Sequence, residues 1–222
     1  MFWWLLQPLG ADVSIGWDRN RIRYWPVRTL DCKSLAPIWE TVAQDFAAEP
    51  TVLIAKVDAE AANSKSTAEA QGVKSYPTIK YFPKGSTTPQ DYEGGRSEKD
   101  FVEFLNEHAG THRAVGGGLD AMAGTVEALD TIVSKFIGGG ALATVSEEAV
   151  KAATGLKDKY AEYYVKVFGK LGTSQGYVDK ELARLQSLLK KGGLAPEKVD
   201  DLTSRSNILR RFLGKGESKD EL

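Results

Sequence analysis

Cysteine is almost absent from this sequence. Cys32 is alone among 222 residues, and there are only two histidines, His108 and His112. A single cysteine excludes an internal disulfide framework and a Cys-rich zinc site. Two histidines leave little for a metal cluster, so neither a metal nor a cofactor is expected. Excess charge is also missing: 29 Lys+Arg stand against 30 Asp+Glu, a formal net charge of −1. Nucleic-acid binding wants a basic face, so no nucleic-acid partner is expected. No stretch approaches the roughly 18 apolar residues that suggest a membrane span. What is present, 42% hydrophobic and 27% charged residues, reads as an ordinary globular chain of one or two domains.

Residues 1–30 stand apart. They hold no lysine but four of the five tryptophans, Trp3, Trp4, Trp17 and Trp25. Phe2-Trp3-Trp4-Leu5-Leu6 is apolar but stops at Gln7-Pro8, without the basic region and apolar length of a secretory signal peptide. No helical or strand period lasts, and Ile22 and Tyr24 alternate with arginines as in an exposed edge. The segment is expected to be atypical, and foreign to the rest.

From residue 31 the patterns are orderly. Leu35, Ile38, Trp39, Val42 and Phe46 recur at helical spacing, with Pro37 inside as a kink. The nearly continuous apolar run 51–58 predicts a buried parallel strand. A polar helix follows around Asn63–Gln71, stopped by Gly72, and then a strand over Ser75–Phe82 that opens on a proline. Asp91–Gly94 predicts a short second strand, and Ser97 with Asp100 a near capping box for a helix burying Phe101, Val102 and Leu105. Residues 31–110 thus form one α/β domain, and 111–120, with Gly116-Gly117-Gly118, read as a linker.

Beyond it every period is helical. Stripes begin at Met122, Tyr160 and Val178; Thr144 with Glu147 predicts a capping box, and Pro196 opens the last helix. Residues 121–213 are an all-α bundle, and 214–222 a mobile tail. That tail ends in Lys219-Asp220-Glu221-Leu222, the receptor-read address for retention in the endoplasmic-reticulum lumen.

The segment Cys32-Lys33-Ser34-Leu35-Ala36-Pro37-Ile38-Trp39-Glu40 resembles the start of the active-site helix in protein disulfide isomerases. Val57-Asp58-Ala59, Gly72-Val73 with Ser75-Tyr76-Pro77-Thr78, and Tyr92-Glu93-Gly94-Gly95-Arg96 match the same family over residues 32–110. The helical remainder resembles the C-terminal domain that some isomerase relatives append to thioredoxin domains. The resemblance implies a thioredoxin-like domain with incomplete first strands followed by a helical domain. It implies a luminal isomerase that assists oxidative folding, with unfolded or disulfide-containing secretory proteins and the retention receptor as partners.

The resemblance also assigns residues. Cys32 falls on the second, resolving cysteine of the Cys-Gly-His-Cys motif, while Thr29, Leu30 and Asp31 fall on the first three positions. Pro77 falls on the cis proline opposite the dithiol, and Tyr76 before it offers backbone groups to a bound peptide. Thiol–disulfide exchange needs thiolate attack through a mixed disulfide. A threonine hydroxyl ionises too reluctantly to replace the attacking thiolate, so the dithiol cycle is not expected to run in this chain. The runner-up is a redox-inactive chaperone or escort that binds clients through the helical domain. A peroxidase using Thr-x-x-Cys is disfavoured, because it needs the cysteine in the other chemical role.

Other residues have plainer expectations. Trp39 is core. His108 and His112 are exposed helix-end residues. Tyr160, Tyr163 and Tyr164 are bundle core, any exposed remnant being open to client peptides. Gly138-Gly139-Gly140 is a loop and not a phosphate cradle. Asp58 and Glu60 are solvated, and Lys190-Lys191 complement a helix C-terminus.

Overall fold

The structure is a computed structural model. It describes the backbone of residues 2–8 and the whole of residues 30–214, which divide into two compact units meeting at Gly118–Leu119. The thioredoxin-like fold with a helical domain after it, expected from the resemblance, is what the chain adopts.

The first unit contains strand β1 (Phe2–Pro8), helix α1 (Leu30–Asp45), strand β2 (Val52–Asp58), helix α2 (Lys65–Ala70), strands β3 (Thr78–Tyr81) and β4 (Gln90–Asp91), and helix α3 (Glu98–Ala109). The sheet order is β2-β1-β3-β4. β1 therefore has a neighbour on each edge, antiparallel to β2 with Leu5 opposite Ala55, and parallel to β3 with Trp4 opposite Ile79. This corrects the reading of the first thirty residues as lacking any strand. An interior strand shows a short continuous apolar run instead of alternation, and the run Phe2–Leu6 is of that kind. It also corrects the direction expected for residues 51–58. An apolar run carries no information about which way its neighbour points, and β2 is antiparallel to β1 and lies at the edge of the sheet, with Val52 buried and residues 53–58 only partly buried. The alternation around Ile22 and Tyr24 lies outside the described residues.

α1 buries Cys32, Leu35, Trp39 and Val42 on one stripe, with Pro37 exposed on the other face. α3 is closed at both ends. Ser97 accepts from the Asp100 amide, the Asp100 carboxylate accepts from the Ser97 amide, and Gly110 takes the left-handed conformation at φ 65° that glycine adopts without strain. The α1 and α3 stripes meet in one apolar cluster, where Trp39 and Phe101 pack edge to face at 5.3 Å between ring centres. Leu105 and Ile79 complete it from α3 and β3.

The segment expected to be a free linker is tied down. Thr111 and Arg113 are 8% and 4% exposed. Arg113 Nε donates to Glu49 Oε1 at 2.7 Å, and Asn106 Nδ2 donates to the Arg113 carbonyl at 2.7 Å. Glycines signal a turn in sequence, but they do not show that buried side chains anchor the turn from outside it.

The second unit holds α4 (Glu127–Ile137), α5 (Leu142–Ala153), α6 (Lys159–Leu171), α7 (Tyr177–Lys191) and α8 (Pro196–Phe212). Its core joins Leu129, Val133, Tyr164, Val167, Phe168, Leu185, Ile208, Leu209 and Phe212. Phe168 and Phe212 pack edge to face at 4.8 Å. Pro196 does open α8. The capping box expected at Thr144 is not used: α5 starts three residues earlier, behind Ala141, whose side chain cannot cap. Gly140 explains the earlier start. A Cβ there would lie 2.9 Å from the Lys135 carbonyl, so the chain folds back tightly before α5 begins. No helix among the described residues is long and apolar enough to cross a membrane.

Candidate functional site

The spacing of α1 decides what happens to the lone thiol. Residues 32, 35, 39 and 42 share one face at three-and-four intervals, so Cys32 joins the apolar stripe while Leu30 and Asp31 turn to solvent. Cys32 is 1% exposed and Leu30 is 83% exposed. The thiol is therefore in the first turn of a helix, where unpaired amides favour an anion, yet it sits on the core side of that turn.

The bend at Tyr76–Pro77 is cis. Both residues are half-buried, and the Thr78 hydroxyl closes the turn by donating to the Ser75 carbonyl at 2.6 Å. Tyr76 packs against the same apolar cluster that contains Cys32. Two residues separated by more than forty positions in the chain thus touch one apolar cluster. Thr29 lies outside the described residues, as do Lys219, Asp220, Glu221 and Leu222.

Residues that were given plainer expectations fall as follows. Trp39 is core at 2% exposure. Tyr163 and Tyr164 are bundle core, and Tyr160 is partly buried against it. The Tyr164 hydroxyl donates to Asp130, which also pairs with Arg211 at 3.3 Å. Burial, reinforced by the Asp130 carboxylate, pushes the Tyr164 phenol well above its ordinary value, so it stays a proton donor. His108 is exposed at the end of α3, as expected, but it is not isolated. Its ring stacks on Phe104 at 4.0 Å and meets Tyr81 edge to face at 5.0 Å. Tyr92 extends the array at 4.9 Å from Phe104, and burial followed by the Asp100 charge pushes its phenol up to about 12. Helical spacing between Phe104 and His108 was the one signal for this array in the sequence. An open cleft of about 300 Å³ beside Tyr92 and Phe104 has carboxylates on its walls. Asp100 is held by the Ser97 cap and Asp91 by Lys80 at 2.5 Å. Among the described residues no group of three His, Cys, Asp or Glu side chains is placed to hold a metal.

Comparison with known proteins separates the chain at the same place as its geometry. The family model described as "Thioredoxin" matches residues 22–107, and the one described as "Endoplasmic reticulum protein ERp29, C-terminal domain" matches residues 124–212. The chain is 58% identical over 216 residues to protein disulfide-isomerase erp38 of Neurospora crassa, covering 94% of this chain and 58% of that one. It is 60% identical over 192 residues to protein disulfide-isomerase tigA of Aspergillus niger, covering 86% of this chain and 52% of that one. The chain belongs to the protein disulfide-isomerase family. A plant relative, probable protein disulfide-isomerase A6 of Medicago sativa, is 42% identical over 187 residues, covering 82% of this chain and 50% of its own length. The chain thus spans a little over half the length of the Neurospora and Aspergillus relatives.

Proposed function

We propose that the chain serves disulfide-coupled folding of secretory proteins in the endoplasmic-reticulum lumen, engaging extended client segments at the Tyr76–Pro77 bend beside Cys32. The observation that carries this reading is the apolar cluster that contains Cys32 and receives Tyr76. In a dithiol isomerase the first cysteine attacks a client disulfide as the thiolate, and the second resolves the mixed disulfide so formed. Cys32 stands in the resolving position, and Thr29 in the attacking one. A burial of 1% exposure suits a resolving thiol, which needs to reach only its neighbour. Without an attacking thiol the chain forms no internal disulfide, so its expected turnover is low.

The terminal Lys219-Asp220-Glu221-Leu222 and the names of the relatives support luminal residence and a retention-receptor partner. A second reading, a redox-inactive chaperone or escort acting through the helical domain, is favoured by the same buried thiol.

Reduction of a disulfide-bonded peptide by dithiothreitol tests the mechanism. The chain is expected to leave the rate within about twofold of dithiothreitol alone. Thr29→Cys with Leu30→Gly and Asp31→His, placed on a complete thioredoxin domain, is expected to raise the rate at least tenfold. Turnover by the unaltered chain that survives Cys32→Ser would overturn the assignment of Cys32. Client binding separates the two readings: Tyr76→Ala weakens capture of an extended peptide if the bend is the site, and leaves it unchanged if the helical domain does the work.

A further inference from the structure

The stretch Tyr92-Glu93-Gly94-Gly95 has no role in the thiol chemistry, and it forms one wall of the open cleft of about 300 Å³. That volume is at the lower end of the range for small-molecule sites, enough for one long side chain. The other wall is the face of α3 that carries Asp100, Glu103, Phe104 and Glu107. With Asp91, two aromatic rings and five carboxylates line the cleft, and no cationic side chain does.

The rings are held in place. The Tyr92 hydroxyl donates to the Gly95 carbonyl at 2.8 Å, and the ring meets Phe104 edge to face at 4.9 Å. His108 stacks on Phe104 at 4.0 Å and backs it. A Cβ at Gly95 would collide with the Asp100 carboxylate, so glycine there lets the two walls approach. The carboxylates differ in what they already hold. Asp91 pairs with Lys80 at 2.5 Å, and Asp100 accepts from the Ser97 amide at 2.9 Å. Lys99 lies 3.9 Å from Glu103, and both are well exposed, so that pair is weak and easily replaced. Glu93 and Glu107 are exposed and have no ion pair among the described residues.

The cleft thus puts uncompensated negative charge beside aromatic rings, an environment that draws an organic cation. It does not suit a metal ion, because among the described residues no three His, Cys, Asp or Glu side chains converge to hold one. A guanidinium suits it better than an ammonium, since its plane packs on a ring while its fork donates to two carboxylates. The cleft opens beside β4, whose outer edge pairs with no other strand among the described residues. An extended segment running along that edge can turn a side chain into the cleft.

We infer that the cleft between residues 92–95 and α3 is a docking site for an arginine side chain of an extended, basic peptide segment. The guanidinium packs against Tyr92 and Phe104, and Glu93 and Glu107 accept its hydrogen bonds. The site uses neither Cys32 nor the Tyr76–Pro77 bend, so its failure leaves the proposed function standing.

Amide shift titration of the whole ¹⁵N-labelled chain tests this. The probes are unstructured Gly-Ser peptides without cysteine that carry three arginines, three lysines or three glutamates. The arginine peptide is expected to shift the amides of Tyr92–Gly95, Phe104 and Glu107 in a saturable way. The lysine peptide is expected to bind the same amides at least threefold more weakly, and the glutamate peptide to leave them unmoved. Glu93→Gln together with Glu107→Gln, both at exposed positions, is expected to weaken arginine-peptide binding at least fivefold. Glu127→Gln, an exposed carboxylate on α4, is expected to leave it within about twofold. Shifts confined to other amides, a lysine or glutamate peptide that binds as tightly, or unchanged binding in the double variant overturns the site.

Discussion

The two units differ in how far their partners lie apart in the chain. In the helical unit, α4 packs on α5, α5 on α6, α6 on α7 and α7 on α8, with α8 returning to α4. In the thioredoxin-like unit, β1 pairs with β2 about fifty residues on and with β3 about seventy-five residues on. Closing such loops costs chain entropy before any contact offsets it. The helical unit therefore has local, redundant packing, and the other depends on a few long-range agreements. The difference predicts that the helical unit folds first and holds longer.

Phe101→Ala breaks that contrast most severely. Phe101 is fully buried where α1 and α3 meet, and its loss costs about 3–5 kcal/mol. Differential scanning calorimetry should then show the first unit's transition lost, with the helical transition unmoved. Phe168→Ala costs a similar amount in the helical unit, but there the transition should shift down and stay cooperative. Loss of both transitions in either variant would show that the units do not unfold independently.

Tyr164→Phe sharpens the comparison within the helical unit. It removes one donor from Asp130, which burial already pushes above the usual carboxylate value, and leaves Arg211 as its partner. The expected loss is about 1.5–3 kcal/mol in a urea titration of the helical unit, with Tyr164→Leu at least as severe. Ser97→Ala removes the α3 cap and should destabilise the first unit by about 1 kcal/mol, leaving the second unchanged.

A further effect is one of pH. Asp45 binds its proton more tightly folded than unfolded, since its folded value is about 6 and its ordinary value is 3.8. Its contribution to stability is therefore complete below about 4, declines as pH rises through 6, and is absent above. The first unit's melting temperature should carry this decline, and Asp45→Asn should remove it. A decline of equal size in the helical unit would assign it to other groups.

The contrast also explains what could be read from the sequence. Four helices of the second unit announce themselves by stripes such as Val178, Leu182 and Leu185, because a helix states its own period. The Ser97 box was legible for the same reason, being local. β1 was not, since an interior strand shows no alternation, and the direction of β2 depends on a partner fifty positions away. The start of α5 was misplaced because Thr144 and Glu147 spell a capping box that the tight turn at Gly140 overrides. Arg113 was hidden by the glycines after it: nothing in residues 111–118 signals that Glu49 and Asn106 hold them. At the candidate site, Cys32 and Tyr76–Pro77 were singled out through the family resemblance. Helical spacing alone explains why the thiol faces inward.

The assignment of Cys32 to the resolving position, three residues after Thr29, is the claim on which the functional reading rests, and a thiol count tests it directly. A Thr29→Cys chain, titrated with a chromogenic disulfide under denaturing conditions before and after mild oxidation, should fall from two free thiols per chain to none while remaining monomeric on a non-reducing gel. Two thiols that persist after oxidation, or that disappear only into disulfide-linked dimers, would show that positions 29 and 32 do not form the dithiol turn of an isomerase.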